Sequence, residues 1–309
     1  MDQPMKSHSS RPILGCGCVA VDDVLHVPTY PEADAKSRVT RRARRCGGLV
    51  GNALIAAARQ GAPCRYAATL GDDDLSAFVL DSLRAEGIDV SGVARAPGAY
   101  PVHSVIVVSD DRGTRNIFAD LAGVENAPPP PLGADAVASA SVLLIDHFWP
   151  EAKLPALSAA RAAGIPVVAD FENGDHPRFA DLLGLVDHLI LSSEFSRGLT
   201  GRDPAGAVEA LWNDARTLVA VTGGEEGCWY RTAQGAGHRP AFRVRAVDTN
   251  GCGDVFHGAY AAALASGAEP AEALRYGAAA AALKAGRPAG PDAIPRRAEV
   301  EEFLRNQGK

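Results

Sequence analysis

Apolar and polar positions along this chain follow two alternating periods, and the changes of period mark its elements. "PILGCGCVAVDDVLHVP" alternates and ends in proline, which predicts strands. After the arginine-dense "ADAKSRVTRRARRCGG", "GNALIAAARQGA" carries an apolar face closed by Gly61 and reads as a helix. "CRYAATLGDDD" predicts a strand into a turn, and "LSAFVLDSLRAEG" a second helix ending at Gly87. "PVHSVIVVSD" and "RGTRNIFAD" predict two strands joined by "DDRG". The proline run Pro128 to Pro131 then marks a stiff connection.

Beyond it the periods alternate regularly. "SVLLIDHF", "IPVVADFE", "HLILSS" and "TLVAVTGG" predict strands, with helices at "EAKLPALSAARAAG" and "DPAGAVEALWND". "CWYRT" and "AFRVRAV" predict an antiparallel excursion, and two helices, "VFHGAYAAALASG" and "PAEALRYGAAAAALKAG", close the fold. Such alternation predicts an α/β architecture with a mostly parallel sheet covered on both faces.

Composition narrows the function. The chain has 309 residues, 47% hydrophobic and 22% charged, enough for one large α/β domain or two smaller ones. A net charge of −6 and few aromatic residues argue against nucleic-acid binding. No apolar run reaches the length of a membrane span, and the N-terminus lacks the apolar core of a signal peptide. A cytoplasmic protein is expected. The cysteines Cys16, Cys18, Cys46, Cys64, Cys228 and Cys252 complete no zinc pattern and read as free buried thiols. Gly15-Cys16-Gly17-Cys18-Val19-Ala20 approaches a dinucleotide fingerprint, but strand-like alternation continues where that fingerprint needs a helix.

The chemistry concentrates in Asp248-Thr249-Asn250-Gly251-Cys252-Gly253-Asp254. Glycines at 251 and 253 permit a tight turn and leave amides uncovered. Those amides, with the positive end of the helix dipole, make a socket for an anion. Asp254, one step into the helix, would repel that anion unless it takes a proton from a hydroxyl lying beside it. This layout fits phosphoryl transfer, with Asp254 as base. The plainer reading is an acid that merely stabilises a helix start. No Gly-Lys-Ser/Thr occurs, so a P-loop cannot supply the phosphate site.

"DTNGCGDVFHGAYAAAL" resembles the C-terminal signature of the ribokinase-like (PfkB) carbohydrate kinases, with Asn250 and Cys252 in place of commoner residues. The N-terminal signature is matched by Gly47-Gly48-Leu49-Val50-Gly51-Asn52, then "ALIAAARQG" and Gly71-Asp72-Asp73. The resemblance implies a three-layer sandwich with a mostly parallel central sheet and a small β-strand lid built from excursions at approximately 23–46 and 98–122, in one domain spanning 1–309. It implies catalysis by Asp254 with Gly251, Cys252 and Gly253 as anion hole. Asp22, with Asp23 as alternative, Gly48, Asn52 and Arg115 would meet the sugar; a solvated turn acid, a helix-start residue and an exposed strand arginine are the plain readings of Asp22, Asn52 and Arg115. Ser193, Thr222, Gly224 and Gly227 would meet the nucleotide. Asp248, Asn250, Lys284, Arg287 and Ala289 match positions that bind a monovalent cation, mainly through backbone oxygens, so K+ joins ATP and Mg2+ as an implied cofactor. The family's Asn-x-x-Glu becomes Ser193 and Ser196, with Glu194 out of place, which leaves Mg2+ chiefly to the ATP phosphates and water.

The same stretches, with "SSEFSRGLTG" and "ALKAGRPAG…IP", look most like the sulfofructose kinase and ketohexokinase branch, which implies a ketose or ketose-like sugar. Lys36, Arg38, Arg41, Arg42, Arg44 and Arg45 read either as a solvated edge strand or as a source of one or two contacts to an anionic sugar. A nucleoside kinase would need apolar groups against a purine, and the lid offers Tyr100, His103, Phe118 and many arginines. A non-catalytic sensor is the alternative of a different class. The expected partners are the sugar, ATP and a second copy through the lid, whose closure would exclude water.

Overall fold

The computed structural model describes residues 9–112, 114–288, 290 and 292–307. Its centre is an 8-stranded sheet. In spatial order the strands are Gly235–Arg239, Cys228–Thr232, Leu218–Thr222, His188–Ser192, Val167–Asp170, Val142–Asp146, Ile13–Cys16 and Cys64–Tyr66. From Leu218–Thr222 onward all neighbours pair in parallel, while the first two strands form an antiparallel hairpin at the edge.

Side-chain alternation along these strands splits the core in two. Ile13, Val142, Leu144, Val168, Ile190, Leu218 and Ala220 face the helices Leu49–Arg59, Cys252–Ala265 and Pro270–Ala285. Leu14, Leu143, Ile145, Val167, Ala169, Leu189 and Val219 face Pro150–Ala163, Phe179–Gly184 and Pro204–Leu211. The inner parallel strands are apolar on both faces because both are covered, which yields three layers.

A separate 4-stranded sheet stands off the body, in the order Arg41–Gly47, Ala20–Val27, Val102–Ser109, Thr114–Asp120. Its Ala20–Val27 strand follows the first central strand after Gly17–Val19, so the two sheets share a junction. Cys18, Ala20, Leu49, Val102 and Val124 pack that junction against Phe148 and Trp149.

Two expectations fail. "AFRVRAV" forms no strand; the edge hairpin uses Gly235–Arg239 instead, with Thr232 opposite Gly235. Pro240 ends that strand, and the following segment runs along a helix tail, where the Val247 and Asp248 amides donate to the Ala285 carbonyl at 2.7 and 3.1 Å. A third helix, Arg297–Gln307, follows the two expected to close the fold, burying Val300 and Leu304 of an otherwise charged sequence.

Candidate active site

The Cys252–Ala265 helix begins at Gly251, whose φ of 74° lies in the left-handed region open to glycine. This turn aims the first amides outward. Cys252 N–H donates to Thr249 O at 3.3 Å and Val255 N–H to Gly251 O at 3.0 Å. Among the described residues, no acceptor meets the amides of Gly253 and Asp254. Gly253 is exposed, and a side chain there would meet nothing within 4 Å. Two free donors at a helix N-terminus have the arrangement of an anion socket.

Asp254 stands beside this socket, half-buried. Its Oδ2 accepts from Asn52 Nδ2 at 2.7 Å, a bond that joins residues 202 apart in sequence. Asn52 lies in the first turn of the Leu49–Arg59 helix, which starts at Gly48 with φ 87°. Burial pushes the Asp254 carboxyl well above the usual carboxylate range, helped by Asp170 and Glu172; Asn52 and His257 oppose the rise.

The two acids matched to sugar binding, Asp22 and Asp23, part company. Asp23 is consumed by Arg44, with two bonds of 2.8 Å, and by His103 Nε2 at 2.9 Å. Arg44 is the main reason its carboxyl falls to about 2. Asp22 faces a cavity of roughly 340 Å³ that is also lined by Arg45, Asn52, Asp248 and Gly251. Burial raises its carboxyl, against Ser104 and Arg45. Arg115 sits on the exposed Thr114–Asp120 strand, near enough for its charge to act on the Cys252 thiol.

Among the residues matched to nucleotide binding, Thr222 pairs in register with Ser192, so the neighbouring strands end together beside Ser193 and Gly224. Gly227 turns with φ 93° and its amide donates to Gly224 O at 3.1 Å. Ser196 does not replace the missing acid: it is buried, and its hydroxyl donates to Ser193 O at 3.2 Å. Glu194 is exposed, and its charge contributes to raising Glu172. Among the described residues, no group of three His, Cys, Asp or Glu side chains could hold a metal. A magnesium ion that arrives on nucleotide phosphates fits such a site better than a protein-caged one.

The residues matched to a monovalent cation do not fit a free ion. Lys284 Nζ donates to the Asp248 carbonyl at 3.0 Å and to Asp248 Oδ2 at 2.8 Å, taking two of the oxygens such an ion would use. The Asn250 amide holds Asp248 Oδ1 at 3.0 Å. Arg287 turns away to Asp292 O at 3.1 Å and Glu299 Oε1 at 2.6 Å. Ala289 lies outside the described residues.

Sequence reasoning missed the charged floor of the site. Asp146 and Asp170 end adjacent parallel strands in register. Asp146 is fully buried and bound by Lys153 Nζ at 2.5 Å and by the Cys18 amide at 2.5 Å. Asp170 Oδ2 lies 3.1 Å from His257 Nδ1. The His257 ring nitrogens face the carbonyl oxygens of Gly253 at 2.9 Å and Ile190 at 3.0 Å, so both must donate and the ring is an imidazolium. Burial works against that charge, yet Asp170 and the two carbonyls outweigh it and hold the ring at about 9. The available signal was the position of the acids: ligands of open α/β sheets bind at the carboxyl ends of the strands.

Comparison with known proteins agrees with this fold. The profile described as pfkB family carbohydrate kinase matches residues 18–296. The ATP-dependent ribose-1-phosphate kinase of Halopiger xanaduensis is 28% identical over 299 residues, covering 94% of this chain and 97% of that protein. The fructokinase of Solanum tuberosum is 28% identical over 279 residues, covering 84% and 86%. A solved structure from Agrobacterium tumefaciens superposes with a TM-score of 0.89 at 29% identity, covering 97% of this chain and 99% of that one.

Proposed function

The chain belongs to the pfkB family of carbohydrate kinases, and on that premise we propose that it moves the γ-phosphoryl group of ATP to a hydroxymethyl group of a ketose or ketose-like sugar. The fold is ribokinase-like and the enzyme an ATP-dependent phosphotransferase with an alcohol acceptor. Asp254 takes the hydroxyl proton, the freed oxygen attacks the γ-phosphorus, and the bond to the bridging oxygen breaks to release ADP. The amides of Gly253 and Asp254 stabilise negative charge on the migrating group, where fixed donors act most strongly. Magnesium bound to the ATP phosphates supplies further charge neutralisation. Asp22, Gly48, Asn52 and Arg115 hold the sugar, and Ser193, Thr222, Gly224 and Gly227 line the nucleotide.

One observation carries this reading: the Asp254 carboxylate accepts from Asn52 at 2.7 Å beside amides without acceptors, and Asn52 and Gly251 line a cavity together with Asp22. The ketose assignment rests on the likeness of "SSEFSRGLTG" and the Val247–Gly267 stretch to the sulfofructose kinase and ketohexokinase branch. An anionic sugar is the second reading. Arg45 lines the same cavity as Asp22, and the Halopiger relative is named for a phosphorylated sugar. A coupled ATPase screen over neutral ketoses, pentoses, aldonates, sulfonated and phosphorylated sugars, and adenosine decides. Turnover confined to adenosine, or to nothing, contradicts the sugar reading.

The small sheet is proposed to act as a lid and to pair with a second copy. Its outer strand, Thr114–Asp120, is exposed along its whole length and carries Ile117 and Phe118 at 50% and 56% exposure.

A further inference from the structure

A buried ammonium lies between the tail of the Pro270–Ala285 helix and the loop leading to the Gly251 turn. Lys284 is 4% exposed. A carbonyl and a carboxylate oxygen of the same residue, Asp248, converge on its Nζ at 3.0 and 2.8 Å. Hard cations choose such oxygen pairs, and here a side chain of the protein delivers the charge. The other carboxylate oxygen accepts the Asn250 amide at 3.0 Å, one residue before Gly251. Asp248 N–H is tied to Ala285 O at 3.1 Å, on the residue next to Lys284.

We propose that Lys284 is a tethered substitute for a monovalent cation: it fixes Asp248 and the turn that aims the Gly253 and Asp254 amides, so that the enzyme works without potassium. Lys284 is a positioning residue, because it reaches the reacting groups only through Asp248 and the turn. Its charge is fixed by the chain, so no cation has to be recruited to order the turn. Removing it leaves the partly buried Asp248 carboxylate and carbonyl without the cation that touches them, a costly arrangement that an external ion of the right size relieves.

The test compares wild type with Lys284→Met and Lys284→Gln in potassium, sodium and tetramethylammonium chlorides at equal ionic strength. Two quantities are read: the thermal unfolding midpoint, and MgATP turnover with the sugar that the screen identifies. Wild type should show no preference among the salts in either quantity. In tetramethylammonium the variants should turn over on the order of 10²-fold more slowly, the scale of a displaced site. Potassium should restore most of that loss and raise the midpoint more than sodium does.

Potassium-dependent turnover in wild type would overturn the proposal. So would variants that match wild type, lose activity that no cation restores, or stay unfolded in all three salts. A variant that folds in potassium but not in tetramethylammonium supports it. The turnover reading rests on the sugar-kinase assignment; if no sugar is phosphorylated, that assignment fails, while the salt dependence of the midpoints still decides the role of Lys284.

Discussion

Asp254 shares its surroundings with two acids and one cation, and the balance among them sets when it can accept a proton. Burial and the charges of Asp170 and Glu172 raise its pKa, whereas Asn52 and the His257 imidazolium lower it. A base must be deprotonated to act, so kcat/KM should rise with pH along an acid limb above the usual carboxylate range. Replacing Glu172 by Gln removes a negative charge facing Asp254, which favours its ionised form. The acid limb of kcat/KM should therefore shift to lower pH in Glu172→Gln. A pH–rate profile checks this, and an unmoved limb or one displaced upward would contradict it.

The socket proposed at the Cys252–Ala265 helix depends on how that helix starts. Gly251 holds φ at 74°, a region that costs other L-residues about 1–2 kcal/mol. Gly251→Ala should lower stability by about that amount and reduce kcat while leaving the KM for ATP nearly unchanged; denaturant unfolding and steady-state kinetics test both. Much at this scale was legible in the sequence. The central strands Val142–Asp146, Val167–Asp170, His188–Ser192 and Leu218–Thr222 are short apolar runs bounded by polar or turn residues. "AFRVRAV" misled because its alternation matches a strand, while the partner edge is taken by Gly235–Arg239. Gly15 and Gly17, set aside in the sequence as a dinucleotide loop, make room: a Cβ at 17 would meet Asp146 Oδ2 at 2.5 Å and one at 15 would meet Leu54 Cδ1 at 2.6 Å. His257 and the Lys284 ammonium were not readable, because their meaning lies in contacts between elements distant in sequence.

Across the whole molecule, the sheet order brings two remote signatures to one place. The Leu49–Arg59 and Cys252–Ala265 helices pack on the same face of the sheet, which is why Asn52 can reach Asp254. The 4-stranded sheet carries Asp22 and Arg115 over that junction. If its exposed outer strand pairs with a second copy, Phe118→Glu should convert a dimer to a monomer in light scattering after gel filtration. A wild type that already runs as a monomer would remove the dimer proposal. The central claim, that one carboxylate and two bare amides share the work of phosphoryl transfer, is tested most directly by Asp254→Asn. Turnover and ATP affinity are to be measured side by side, with wild type as reference. Turnover should fall by about 10²–10⁴-fold, the usual contribution of a positioned base, with the affinity for MgATP nearly preserved. A variant that keeps wild-type turnover, or loses ATP binding in step with it, would contradict the account.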